Sequence, residues 1–163
     1  MYVLKIKVIP VSSVDFLKFG RYYNMKDGTK DTAITKGKSF TDVRTISPLI
    51  NSIGNLGFTL GSKLPSKTYK MERHLHTQEA LFCLSDSMII TIAIGSGNEH
   101  PLASDVEAFI LSPGEVVVLN KGVWHDACHG VGKAVYYYWM ATEREDVEDE
   151  WVDISPGPVE VYI

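Results

Sequence analysis

The stretch MERHLHTQEALFCL (residues 71–84) contains two histidines and two glutamates and then runs directly into an apolar segment. In an extended strand alternate side chains share one face, so Glu72, His74 and His76 are predicted to lie together. Glu79 reaches the same face only if the chain turns or bulges before it. Two imidazoles beside a carboxylate form a ligand set suited to Fe, Mn, Ni, Zn or Cu. The stretch is therefore a candidate metal site.

A second polar run, SPGEVVVLNKGVWHDACHG, supplies a distant histidine at residue 125. SPG and NKG indicate turns on either side of the strand EVVVL. The alternative interpretation is that these histidines only occupy polar strand ends. Three histidines and a carboxylate in two ordered runs favour a functional pocket instead. His129 fits either a second pocket group or a loop position.

Strand-length apolar segments separated by Gly, Pro, Asn, Asp and Ser fill most of the remaining chain, which predicts a sandwich, jelly roll or barrel. The segments are YVLKIKVI, VRTISPLI, LGFTL, KTYKMERHLH, ALFCL, MIITIAI, VEAFIL, EVVVL, AVYYYWM and PVEVYI. One short helix is predicted after the first strand, with Ser12 or Ser13 as its cap, Asp15 in its first turn and Gly20 at its end. Residues 22–38 show weak periodicity and indicate a loop or an edge segment.

Length and composition favour one globular domain spanning residues 1–163, with 45% hydrophobic and 22% charged residues. The formal net charge of -4 and the absence of a dense basic run argue against nucleic acid as a partner. No apolar run reaches the length of a membrane span. The N-terminus does not resemble a secretory signal, and the two cysteines form no close pair, so a cytoplasmic protein is expected.

The two polar runs resemble the paired motifs of the cupin superfamily. The matching positions are His74, His76, Glu79, Gly114, the NKG turn at 120–122 and His125. Glu79 comes one residue earlier than the commonest cupin spacing, and Asn120 stands where proline is usual. The resemblance implies a mostly β, cupin-type double-stranded β-helix (a jelly-roll barrel) with one short N-terminal helix.

A closer resemblance, to the ureidoglycolate lyase family, spans the chain through IKVIPVSSVDFLKFG, MERH, TQEA, MIITIAIG, AFI and GVWH. It implies a homodimer that splits ureidoglycolate into glyoxylate and urea during purine breakdown. The arginine-rich strand of that family appears here as LGFTLGSKLP, which has no arginine. The substrate carboxylate must then be bound by Lys63, Lys67, Arg73 or a metal.

The chemistry implied by this resemblance assigns roles in two ways. Without a metal, His125 is the base and Glu72 or Glu79 the acid. With a divalent ion such as Zn, Ni, Mn or Fe, the ligands are His74, His76, Glu79 and His125, and Glu72 is the base. No organic cofactor is expected.

Four side chains are candidates for binding a small carboxylate-bearing substrate: Arg73, Trp124, Tyr136 and Tyr138. Because side chains alternate along a strand, either Tyr136 and Tyr138 or Tyr137 and Trp139 can line the pocket while the other pair packs outside. Two other functions fit the same pocket. One is a metal-dependent isomerase or dioxygenase, and the other is a non-catalytic cupin that only binds a small ligand.

Overall fold

Two large sheets dominate the computed structural model, which describes residues 3–64, 66–94, 99–146 and 150–163. The strands, numbered in chain order, are β1 (Leu4–Pro10), β2 (Gly20–Asn24), β3 (Thr32–Lys36), β4 (Thr41–Thr45), β5 (Asn55–Gly61), β6 (Ser66–Thr68), β7 (Lys70–Met71), β8 (Glu79–Cys83), β9 (Met88–Ala93), β10 (Val106–Leu111), β11 (Glu115–Leu119), β12 (Trp124–His125), β13 (His129–Gly130), β14 (Val135–Ala141), β15 (Val152–Asp153) and β16 (Val159–Tyr162).

The larger sheet has the order β12-β9-β10-β1-β16-β6, with β13 also pairing with β9. The second sheet has the order β2-β11-β8-β14-β5, and two further pairs are formed by β3 with β4 and by β7 with β15. Most pairings are antiparallel, but β1 runs parallel to both β10 and β16. The predicted mostly β architecture is confirmed.

The main core lies between the two large sheets. Its buried side chains come from the larger sheet, such as Ile90 and Phe109, and from the second sheet, such as Leu81 and Val117. Every residue of β9 is buried, because its other face is covered by a second cluster that includes Met71 and Ile154. A fully covered strand of this kind reads as a continuous apolar run, as MIITIA does.

The predicted N-terminal helix is not seen. Two three-residue 3₁₀ turns, Val11–Ser13 and Phe16–Lys18, stand in its place. Val14 between them is extended, and the Asp15 side chain accepts a hydrogen bond from the backbone N–H of Leu17. The aspartate therefore caps a second short turn instead of continuing the first.

Two further expectations about strands change. KTYKMERHLH does not form one strand, because β7 ends at Met71 and the chain bends over residues 73–77 before β8. The weakly periodic residues 22–38 contain most of β2 and all of β3. β2 is an edge strand that pairs with β11, which is consistent with its weak apolar pattern.

No helical segment among the described residues has the length and apolar character needed to cross a bilayer.

Candidate functional site

Backbone pairing joins the two polar runs. The N–H of Glu72 donates to the carbonyl of His125 at 2.9 Å, and the N–H of His125 donates back to the carbonyl of Glu72 at 2.8 Å. Two residues further on, the N–H of Gly122 donates to the carbonyl of His74 at 2.8 Å. Gly122 has a φ of +82°, a conformation that glycine adopts without steric cost. The NKG turn thus returns the chain alongside the first run.

Four ionisable side chains converge where these runs meet the second sheet. The Nε2 atom of His125 lies 2.8 Å from Oε2 of Glu79 and 3.7 Å from Oε1 of Glu72. The Nε2 atom of His74 lies 3.4 Å from the same Glu79 oxygen. One ligand atom from each of Glu72, His74 and His125 lies within 4.8 Å of the others. These three residues form a candidate metal site, and Glu79 adjoins it.

Burial and charge oppose each other at Glu79 and His125. Burial disfavours the Glu79 carboxylate, but the charge of His125 and hydrogen bonding with His125 and His74 lower its pKa from 4.5 to about 2. Burial likewise disfavours the His125 imidazolium, but Glu79 and then Glu72 raise its pKa from 6.5 to about 9. The contact between the two side chains thus favours the charged form of each.

The ring of His125 is held in an orientation that suits a metal ligand. Its Nδ1 atom lies 3.1 Å from the carbonyl oxygen of Val123, which can only accept, so Nδ1 carries a proton. In the neutral ring Nε2 then presents its lone pair. Nε2 of His125 and Oε2 of Glu79 are both buried and lie 2.8 Å apart. In the neutral ring, a buried nitrogen lone pair beside buried carboxylate oxygens fits a bound cation.

A cavity of about 230 Å³ opens onto this cluster between the two sheets. Its lining has three aromatic and four acidic side chains: Tyr137, Trp139 and Trp151, with Glu72, Glu79, Asp126 and Glu143. The remaining lining residues are Thr59, His74, Leu81, His125, Ala127 and Ala141. Neither lysine nor arginine occurs among these described lining residues.

His76 lies apart from the candidate metal group. Its Nε2 atom is 2.8 Å from the carbonyl oxygen of Thr142, and its ring centre is 6.0 Å from that of His74. The argument from strand alternation fails here because the chain bends after Glu72, so the two histidines do not stand side by side on one strand. The same bend lets Glu79, the first residue of β8, reach the cluster.

Arg73 and Trp124 pack against each other and do not line the cavity. Trp124 is completely buried in the cluster behind the larger sheet. The guanidinium carbon of Arg73 lies 4.3 Å from the centre of its ring, a distance suited to a cation–π contact. The geometry gives both residues a packing role.

Alternation along β14 selects Tyr137 and Trp139 for the cavity. Tyr136 and Tyr138 lie on the outer face of the sheet, where Tyr136 stacks on Phe58 at 4.9 Å with nearly parallel rings. Tyr138 packs against the same phenylalanine and against Phe82. The sequence-based choice of Tyr136 and Tyr138 thus selected the pair that the structure places outside.

Sequence reasoning missed Asp126, Glu143 and Trp151 as lining residues. Asp126 directly follows His125, so its proximity to the site was readable from the sequence. Glu143 follows the end of β14 by two residues, and Trp151 directly precedes β15. No local sequence pattern indicates that either side chain reaches the cavity.

Comparisons with known proteins place the chain in a family. The model of the family described as "Ureidoglycolate lyase" matches residues 3–159. No curated protein matches the sequence at a significant level.

Solved structures give distant matches. RmlC from Streptococcus suis, in complex with dTDP-D-xylose, is 8% identical with a TM-score of 0.47, covering 72% of this chain and 64% of that chain. The dTDP-6-deoxy-D-glucose-3,5-epimerase RmlC from Legionella pneumophila is 12% identical with a TM-score of 0.48, covering 70% and 65%. Oxalate decarboxylase from Bacillus subtilis, described with Mn(II) centres, is 14% identical with a TM-score of 0.39, covering 58% and 23%. The matched part thus spans less than two thirds of each of these chains.

The family match covers nearly the whole chain, and the two large sheets agree with the mostly β fold that the sequence predicts. The chain belongs to the ureidoglycolate lyase family.

Proposed function

We propose that this protein cleaves the carbon-nitrogen bond of ureidoglycolate, or of a close ureido analogue, to give glyoxylate and urea in purine breakdown. The observation that carries the proposal is the convergence of Glu72, His74, Glu79 and His125 on one cavity in a chain that matches the lyase family over residues 3–159. A cavity of about 230 Å³ suits a metabolite of this size. We place the protein in the cytoplasm, in keeping with its two free, buried cysteines.

Glu72, His74 and His125 are proposed to hold a divalent transition metal such as Zn, Ni, Mn or Fe. The fit rests on ligand atoms within 4.8 Å of one another and on the His125 ring, whose Nδ1 faces the Val123 carbonyl and leaves Nε2 toward the site. Such an ion, when bound, supplies positive charge for a carboxylate and acidifies a coordinated hydroxyl. This role is needed because the described cavity lining offers no lysine or arginine.

Glu79 is the proposed base for the substrate hydroxyl. Its Oε2 atom lies 2.8 Å from Nε2 of His125 and 3.4 Å from Nε2 of His74, so the carboxylate stands beside the proposed metal ligands in the cavity wall. Glu79 accepts the hydroxyl proton as the carbon-nitrogen bond breaks and the hydroxyl oxygen becomes the glyoxylate carbonyl. The same proton then passes to the departing urea nitrogen, so the reaction balances without an external reagent.

An assay of the metal-reconstituted protein for glyoxylate and urea tests the reaction. Both products should appear in equal amounts, and elemental analysis should find close to one metal per chain. Glu72→Gln should lower the metal content, whereas Glu79→Gln should retain metal and lose turnover. Absence of both products from folded, metal-containing protein would contradict the proposed reaction.

One observation favours a second candidate, a different metal-dependent reaction such as isomerisation or oxygenation. Four carboxylates line the cavity without a described lysine or arginine, a setting that disfavours anionic substrates. Turnover of a neutral polar substrate without urea release would support this candidate.

A homodimer is the proposed assembly, formed through the outer face of β5 and β14. Leu56, Phe58, Leu60 and Tyr136 are each at least half exposed there, and an apolar patch of this kind marks an interaction surface. β5 is an edge strand of its sheet, so two copies can meet face to face around a two-fold axis. Light scattering should give the dimer mass, and Phe58→Ser should shift it toward the monomer. A monomer mass at all concentrations would contradict the dimer.

A further inference from the structure

Asp126 lines the same cavity as the candidate metal site but is not one of its ligands. It follows His125 directly, and its backbone N–H donates to the carbonyl of Thr91 at 3.1 Å. The carboxylate is held by three groups. Oδ2 accepts from the Thr68 hydroxyl at 2.9 Å and lies 3.5 Å from Nε2 of His129, while Oδ1 accepts from the N–H of Ala127 at 2.8 Å.

His129 is itself held in place by a second contact, with Ser62. Its side chain is buried, and its Nδ1 atom lies 3.1 Å from the Ser62 hydroxyl. The Asp126 carboxylate is therefore oriented before any ligand binds, and preorganisation of this kind strengthens recognition. Each carboxylate oxygen has two lone-pair directions. Oδ2 already has two partners, whereas Oδ1 accepts from the N–H of Ala127 and can still accept one hydrogen bond from a ligand.

The cavity requires a ligand that brings hydrogen-bond donors. Four carboxylates line it, and no lysine or arginine is found among the described lining residues. An ionised carboxylate can only accept hydrogen bonds. A ligand that presented only acceptors would therefore leave these carboxylates without partners at a large cost.

We propose that Asp126 determines specificity by accepting an N–H hydrogen bond from the ureido end of the substrate. This inference rests on the proposed function. The Glu72, His74 and His125 group holds the carboxylate and hydroxyl end, and Asp126 holds the planar nitrogen end beside Trp139. A ureido group carries several N–H donors in one plane, and Oδ1 of Asp126 can accept one of them as a charge-assisted hydrogen bond.

Three ligands of similar length and equal charge test the proposal by calorimetry on the metal-reconstituted protein. N-carbamoylglycine has the ureido group but lacks the reacting hydroxyl, succinamate replaces one N–H by CH2, and levulinate has no N–H at all. Affinity should fall in that order, by roughly tenfold for each hydrogen bond lost to a charged acceptor. Equal affinities for N-carbamoylglycine and levulinate in the wild-type protein would overturn the proposal.

Asp126→Asn should remove most of this discrimination while binding levulinate as the wild type does. Asp86→Asn, at the half-exposed aspartate that pairs with Lys133, is the matched control and should leave the order intact. Retained discrimination in folded Asp126→Asn protein would also overturn the proposal. Because none of the three ligands is the proposed substrate, these results do not depend on turnover. If the wild-type protein binds the three ligands in the expected order but releases no glyoxylate and urea from ureidoglycolate, only the proposed lyase reaction is contradicted.

Discussion

The two ends of the space between the sheets are built differently. At one end the rings of Phe16, Phe19 and Phe109 pack with their centres 5.5 to 5.9 Å apart. At the other end Glu79 and His125 line the cavity. Leu81 belongs both to the core and to the cavity wall. We therefore expect the packed end to contribute most of the stability of the fold and the end with the cavity to contribute the chemistry.

The largest expected effect is on turnover at the polar end. Glu79→Gln removes the proposed base and should lower kcat by about 10² to 10⁴, the usual contribution of a positioned base. Glu160→Gln, on the surface near Lys5, should keep kcat within about twofold, as expected for a surface change away from the site. A Glu79→Gln enzyme with unchanged kcat would show that the base lies elsewhere.

Substitution at the apolar end should affect stability most. Phe109 is completely buried, and Phe109→Ala should lower the free energy of unfolding by about 3 to 5 kcal/mol, the usual cost of emptying a buried aromatic site. Phe40→Ala, at a phenylalanine 59% exposed, should change it by less than about 0.5 kcal/mol. Urea denaturation measures both variants. Equal losses would mean that the apolar end does not carry the fold.

Neighbouring tyrosines on β14 sharpen the comparison between the inside and outside of the sheet. The hydroxyl of Tyr137 accepts a hydrogen bond from the buried N–H of Cys128 at 3.3 Å. Tyr137→Phe leaves that donor without its partner and should cost about 1 to 3 kcal/mol of unfolding free energy. Tyr136→Phe, on the half-exposed outer face, should cost almost nothing. A reversed order of the two variants in thermal denaturation would contradict the assignment of faces.

The smallest expected effect is an alkaline one at the edge of the apolar end. Burial, then a 2.6 Å hydrogen bond to Glu115 and the charge of that carboxylate, raise the pKa of Tyr22 well above 10. Because the raised pKa belongs to the folded state, this contribution is present below about pH 10 and is lost as the pH rises further. Tyr22→Phe should therefore make the fall in stability above pH 10 shallower. An unchanged alkaline slope would contradict this effect.

The sequence predicted most strands because apolar runs such as MIITIA and EVVVL are bounded by strong turn residues. It failed for the N-terminal helix, where the single cap at Asp15 divides the segment into two 3₁₀ turns. It also gave no definite assignment to β3, within the segment interpreted as a loop or an edge; among the described strands β3 pairs with β4 alone, and it buries no residue fully. Strands without a buried face carry no apolar alternation to detect.

The sequence by itself determined the chemistry available at the site, because the residue types and the order of the two polar runs can be read directly from the chain. Only the tertiary structure decided which groups meet. The bend after Glu72 moves His76 toward Thr142 and brings Glu79 beside His125. The register of β14 turns Tyr137 inward and Tyr136 outward. Both outcomes depend on pairing between segments far apart in the chain, and local periodicity holds no information about such pairing.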